Sequence, residues 1–216
     1  MKKVLPPSLK IYVFDLDDTL YDEPEFVRGG AKSVLKWLAD YYELEYQPLH
    51  ELMNSITAAF PRNEWYQKLI EKAGIPYSQE LINRMVDIYR NHTPDIHLPL
   101  DSSSFLSKIR SKDGVYLGLI TDGMVSVQEL KVKSLGLHKI MDLSVFTWNE
   151  GQEFQKPHPW SYKYIEEKTA ASGVECCYFG NDSSKDFLAP NSLGWSTVCI
   201  CRNVENRIAA PNRKYM

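Results

Sequence analysis

The sequence predicts an α/β protein, a parallel sheet between two layers of helices, with an all-helical segment inserted into it. Three observations carry this. Five short apolar runs lack polar alternation, as strands covered on both faces do. Helical patterns separate the later runs, and strand alternating with helix implies parallel pairing. One long stretch, from about 24 to 92, holds no strand-like run at all.

In chain order, the strand-like runs are IYVFDL at 11–16, VYLGLIT at 115–121, LSVFTW at 143–148, CCYFG at 176–180 and STVCICR at 196–202. SVQELKVKSLGL at 126–137 reads as a helix stopped by Gly136, and WSYKYIEEKTAASG at 160–173 as one stopped by Gly173. Within 24–92, Phe26, Val27, Ala31, Val34, Leu35 and Leu38 fall at helical spacing. So do Leu49, Leu52, Met53, Ile56 and Phe60, and then Leu81, Ile82, Met85, Val86 and Tyr89. Pro48, Pro61, Gly74 and Pro76 punctuate them, which predicts about four helices. The expected division is one α/β domain from 1–22 and 93–216, and a helical domain at 23–92.

Composition narrows the function classes. A chain of 216 residues with 44% apolar content can bury a core. A formal net charge of −3 argues against a nucleic-acid or anionic-membrane surface. No apolar run approaches the ~18 residues of a membrane span. The opening MKKVLPPSLK lacks the apolar region of a signal peptide, so a cytosolic protein is expected. Cys176, Cys177, Cys199 and Cys201 have no further His or Cys at ligand spacing and read as reduced cysteines on buried strands.

Open α/β sheets bind ligands beyond the carboxyl ends of their strands. There the first run supplies Asp15, Asp17 and Thr19, and the second Thr121, Asp122 and Gly123. Lys156 follows the third, and Asn181, Asp182 and Asp186 follow the fourth. Carboxylates converging in a partly buried site need a compensating charge. Asp15 and Asp182 offer hard oxygen donors suited to Mg²⁺, which keeps waters and a substrate oxygen in its shell. Lys156 would balance a second anion, most simply a phosphate, with Thr121 and the N–H groups at the next helix start taking its remaining oxygens. This arrangement describes phosphoryl transfer. Asp15 would attack phosphorus to form an aspartyl phosphate, and Asp17 would protonate the leaving oxygen and later activate water. The charge of the transition state would fall on Mg²⁺ and Lys156.

DLDDT at 15–19, LITDG at 119–123, QKPHP at 155–159 and GNDSSKD at 180–186 occur in one order along the whole chain. In this the sequence resembles the haloacid dehalogenase superfamily, whose core is a three-layer, Rossmann-like parallel sheet. The resemblance implies that Asp15 is the nucleophile, Asp17 the general acid/base, and Thr121, Asp122 and Lys156 the phosphate contacts. It implies metal binding by Asp15, Asp182 and the main-chain carbonyl of Asp17. It makes the segment at 23–92 a helical cap. Asp186 would orient Lys156 or a metal-bound water. The fourth motif departs from the usual Gly-Asp: a longer-spaced variant would place Asn181, not Asp182, at the ligand position, and Asp182 is favoured because a carboxylate binds Mg²⁺ better than an amide. Asp122 stands where many relatives carry Asn, which leaves a charge near the phosphate to be explained.

Other readings fit less of the chain. A calcium loop counted from Asp15 would need ligands at Thr19 and Phe26 after a helix. A glycosyltransferase Asp-x-Asp would leave Lys156 and Asp182 idle, and a phosphate-receiver domain lacks so large a helical insert. An acid two residues after the nucleophile suits phosphate-ester hydrolysis, with phosphomutase chemistry and a non-catalytic binding role as alternatives. The expected partner is a small phosphorylated metabolite. Arg62 and His92 are candidate substrate contacts in the helical segment. Trp65 and Tyr66 read as its core, Tyr21 and Glu23 as groups acting in closure, and Asp18 as structural.

Overall fold

The computed structural model describes residues 6 and 8–202. Residues 1–5 and 7 of the opening decapeptide, and with them most of the reading made on it, lie outside these. The strands are β1 (Ile11–Phe14), β2 (Tyr116–Thr121), β3 (Leu143–Phe146), β4 (Cys176–Gly180) and β5 (Ser196–Cys199). The helices are α1 (Glu23–Tyr41), α2 (Tyr46–Ala59), α3 (Trp65–Lys72), α4 (Gln79–Asn91), α5 (Leu100–Arg110), α6 (Val125–Ser134), α7 (Trp160–Thr169) and the short α8 (Leu188–Ser192). Among the described residues, no helix is long and apolar enough to cross a membrane.

The sheet is parallel throughout, in the order β3-β2-β1-β4-β5. β1 is central, with Ile11 paired to Tyr116 on one side and to Cys176 on the other. Its four residues, IYVF, are all buried. Alternate side chains point to opposite faces. Ile11 and Val13 join Ile120, Val145, Tyr178 and Ile165 of α7 in one cluster. On the other face, Phe14 and Phe179 stack at 4.7 Å and Phe105 of α5 meets Phe179 edge-on at 5.4 Å. Helices on both faces make the three layers that the runs without polar alternation predict.

The chain divides into two compact units, Met1–Glu23 with Ile96–Met216, and Pro24–Asp95. The second is helical, with Val34, Leu38, Met53, Ile56, Leu69 and Met85 in its core. Its punctuation has local causes. Pro48 sits in the first turn of α2, where a missing N–H is harmless. Gly74 takes φ +69 after α3, and the Ser78 hydroxyl caps α4 by accepting the Leu81 N–H at 3.0 Å.

One reading needs correction. α7 ends at Ala170 (φ 51), not at Gly173. Gly173 stands in a later 3-10 turn, where a Cβ would collide with the Leu193 carbonyl, so the glycine serves a close backbone approach. α5 has no counterpart among the expected helices, since four serines stand among its apolar positions.

The end of α5 is fastened to the sheet by one carboxylate. Asp142 takes both Arg110 guanidinium nitrogens, at 2.7 and 2.8 Å, and the Leu117 N–H at 2.8 Å. Burial pushes its carboxyl up, but Arg110 and the Leu117 N–H reverse this and hold it below the usual carboxylate value. A depressed pKa contributes stability above the unfolded value and loses it as pH falls through the folded one. Asp142→Asn therefore lowers the thermal midpoint modestly at neutral pH. The gap to the parent should close as pH falls below about 4, measured by melting curves across pH.

Candidate active site

β1 delivers Asp15 to the sheet's carboxyl edge. The Asp15 N–H still donates to the Phe179 carbonyl at 2.8 Å, so the ladder with β4 extends one residue past the strand and fixes its backbone. Asp15 Oδ1 accepts from Lys156 Nζ at 2.5 Å and Oδ2 from the Thr19 hydroxyl at 3.0 Å. Lys156 reaches this point on the loop after β3, 3% exposed, and also donates to Asp186 Oδ1 at 2.8 Å and to the Tyr178 hydroxyl at 3.1 Å. Asp186, fully buried, accepts the N–H groups of Asn181 and Asp182 on Oδ2, at 3.0 and 2.8 Å. One lysine thus ties the loop after β3 to β1 and to the turn after β4.

Burial, with Asp186 nearby, pushes the Asp15 carboxyl up to about 6, while Lys156 pulls it back. Burial alone would lower the Lys156 pKa, but Asp15, Asp186 and Asp122 raise it well above the ordinary value. The ammonium is charged at every physiological pH.

Asp17 has the opposite surroundings. Its carboxylate accepts both contacts of Lys131 Nζ, at 2.8 and 2.9 Å, the Tyr21 hydroxyl at 2.6 Å and Gln128 Nε2 at 3.0 Å. Burial raises its pKa, and Lys131, then Tyr21 and Gln128, more than reverse that. Asp18 takes φ 54, a left-handed position that Asp tolerates, and its Oδ1 accepts the N–H of Glu23, the first residue of α1. That is a structural role, as the sequence suggests.

Thr121 ends β2, buried, its carbonyl 3.3 Å from the Thr147 hydroxyl. The extra charge of Asp122 now has an account. Its Oδ1 accepts the Thr147 hydroxyl at 2.8 Å and the Lys156 N–H at 3.1 Å, and its Oδ2 lies 3.7 Å from Lys185 Nζ. The side chain braces the loop that carries Lys156 instead of facing a phosphate.

The turn after β4 gives its two candidates different surroundings. Asp182 is half-buried and its Oδ1 accepts the N–H and hydroxyl of Ser184, at 2.9 and 2.6 Å. Burial raises its pKa, but Ser184 and Lys185 bring it below the ordinary value. Asn181 Oδ1 instead lies 3.3 Å from the Thr19 hydroxyl that also binds Asp15 Oδ2. Among the described residues, no three His, Cys, Asp or Glu side chains gather as a metal site. The oxygens gathered at Asp15 Oδ2 are its own carboxylate, the Thr19 hydroxyl and, across that hydroxyl, the Asn181 amide. Oxygen donors this few still fit a hard cation such as Mg²⁺, which keeps most of its waters.

The two candidates in the helical unit are placed differently. His92 is buried in that unit, its ring 4.6 Å from Phe26 and its Nδ1 2.7 Å from the Tyr89 carbonyl, which makes it a packing residue there. Arg62 is exposed, its guanidinium 5.7 Å above the Trp65 ring. Sequence reasoning missed Gln128, Lys131, Thr147 and Tyr178. Gln128 and Lys131 stand three apart on the helix after the second strand, but nothing in the sequence marks either as buried.

Comparison with known proteins gives one family, described as haloacid dehalogenase-like hydrolase, over residues 12–200. The chain is 28% identical over 198 residues to a glyceraldehyde 3-phosphate phosphatase of Methanocaldococcus jannaschii, covering 90% of this chain and 86% of that one. It is 22% identical over 199 residues to a ribulose-1,5-bisphosphate 5-phosphatase of Halopiger xanaduensis, covering 86% and 82%. Among solved structures, a putative beta-phosphoglucomutase from Thermotoga maritima shares the fold, with a TM-score of 0.62 and 20% identity over 93% of this chain and 90% of that one.

Gly180 leaves no room for a side chain: a Cβ there would lie 2.6 Å from Asp186 Oδ2. Gly180→Ala should displace Asp186 and with it Lys156, lowering kcat by about 100-fold, the usual cost of a misplacement near 1 Å. Steady-state kinetics beside a melting curve check that the loss is local.

Proposed function

The chain belongs to the haloacid dehalogenase-like hydrolases, and we propose that it is a phosphatase acting on a small phosphorylated metabolite through a covalent phosphate on Asp15. The observation that carries this reading is the chain from Asp15 through Lys156 to Asp186 at the sheet's carboxyl edge, with a second carboxylate, Asp17, two residues on. It pairs a rigidly held carboxylate with a buried permanent cation beside it, which is what attack on a phosphate dianion requires.

In the first half, an Asp15 oxygen forms a bond to phosphorus as the bond to the leaving oxygen breaks, and Asp17 gives that oxygen a proton. Thr121 and Lys156 hold the phosphoryl oxygens. In the second half, Asp17 takes a proton from water, the water oxygen bonds to phosphorus, and the bond to Asp15 breaks to release inorganic phosphate. Asp15, the main-chain carbonyl of Asp17 and Asn181 would hold Mg²⁺. When bound, the ion supplies positive charge opposite the phosphoryl group. The curated relative from Methanocaldococcus jannaschii makes a three-carbon sugar phosphate the first substrate to try.

Hydrolysis of glyceraldehyde 3-phosphate, ribulose 1,5-bisphosphate and p-nitrophenyl phosphate is the test, with Mg²⁺ and after its removal by chelation. Turnover should require the metal. Asp15→Asn should reduce it by at least about 1,000-fold, since it removes the nucleophile. Turnover unchanged in Asp15→Asn would sink the reading.

A neutral amide beside Asp15 holds a divalent cation less tightly than a carboxylate would. Asn181→Asp should therefore tighten Mg²⁺ binding by about tenfold, read by calorimetric titration of the metal-free protein, while Asp182→Asn changes it little.

A further inference from the structure

We propose that Lys131, with Gln128 one turn before it, is a positioning residue for Asp17, fixing the carboxylate that exchanges protons with the leaving group and with water. This rests on the phosphatase reading above.

Three features carry it. Lys131 is 4% exposed on α6, a place where lysine is rarely found. Its ammonium straddles both Asp17 oxygens, at 2.8 and 2.9 Å. Gln128, on the same helix face, donates to Asp17 Oδ2 at 3.0 Å and to the Asp122 main-chain carbonyl at 2.7 Å. The side chain of Gln128 thereby ties the end of β1 to the end of β2. The Tyr21 hydroxyl closes the remaining side of Asp17 Oδ1 at 2.6 Å.

A carboxylate two residues past the nucleophile has two freely turning side-chain bonds. Held by donors on both oxygens, it keeps one rotamer. A buried ion pair adds little net stability, because the attraction mainly offsets the desolvation of both charges. It does constrain direction, and direction is what proton transfer to a departing oxygen demands. The Lys131–Asp17 pair and the Lys156–Asp15 pair share no direct hydrogen bond among those described. Lys156 faces the nucleophile, while Lys131 faces the proton carrier.

A leaving-group series separates this role from a structural one. p-Nitrophenol leaves readily without a proton, whereas phenol needs one far more. kcat/KM for both aryl phosphates is compared in the parent, Lys131→Met, Lys131→Arg, Gln128→Leu and Asp17→Ala. Lys131→Met should lose about 100-fold on phenyl phosphate and less than about tenfold on p-nitrophenyl phosphate, as general-acid contributions run. Asp17→Ala should show the same split, and Lys131→Arg should restore part of the phenyl phosphate rate. Should Lys131→Met not fold, Gln128→Leu carries the test with a smaller split in the same direction. Equal losses on both esters, or none, would overturn the inference while leaving the phosphatase reading intact. A parent enzyme inert on both esters, with no effect of Asp15→Asn, would remove both.

Discussion

The bond network of the Lys156 ammonium is the constraint on which the rest of the site depends. Two carboxylates, Asp15 and Asp186, are brought into a buried space from different strand ends, and neither could remain ionised there without a cation between them. Lys156 meets both, and the structure then spends further donors holding each member. Asp186 takes two backbone N–H groups from the turn after β4. Asp122 takes the N–H of Lys156 itself. Removing the lysine would strand two negative charges, whereas removing one carboxylate would free the other to move. The three groups sum to one negative charge, so a phosphate dianion arriving beside them requires more positive charge than Lys156 alone supplies. In the proposed reading that charge is Mg²⁺, which the Asp15 and Asn181 oxygens would help to hold.

The order of strands explains why these groups meet. The chain lays down β1, β2 and β3 in one direction across the sheet and then returns to place β4 and β5 on the far side of β1. β1 sits where the winding reverses, and the loops leaving β1 and β4 diverge there, opening the crevice in which such sheets bind ligands. A strand of four buried residues with a partner on each side supports Asp15, and the Asp15 N–H extends that support by one residue.

How much of this was legible follows from what a linear pattern encodes. Apolar runs mark buried strands directly, so all five were found, each within a few residues of its observed end. The acids and the lysine at strand ends were legible because parallel strands place every carboxyl end on one edge. Pairings were not. Nothing in QELKVK distinguishes Lys131, buried on Asp17, from the exposed Lys133 beside it. The preference for Asp182 over Asn181 rested on general metal chemistry, and local geometry was not visible to it. Ser184 captures the Asp182 carboxylate within its own turn, which leaves the Asn181 amide facing Thr19. Asp122 looked like an electrostatic misfit for the same reason. Its partners, Thr147 and the Lys156 N–H, lie 25 and 34 residues away.

Two aspartates that leave one strand end two residues apart are thus given opposite surroundings. Burial moves Asp15 up to about 6, which keeps it mostly ionised at neutral pH but close to its threshold, and any positive charge placed at Oδ2 favours the ionised form. Asp17 is only partly buried, and Lys131, Tyr21 and Gln128 all point hydrogens at it and hold it firmly as a carboxylate. A carboxylate held ionised and fixed in direction is in the base form. That is the state the second half of a phosphate-ester hydrolysis uses, when water must be activated. The proton gained there is the one the leaving oxygen of the next substrate receives. Pairs of like groups whose environments drive them apart are how a site gives two carboxylates different roles. Here the division comes from α6: without its lysine and glutamine, Asp17 would keep only the Tyr21 hydroxyl of the three donors that now fix it.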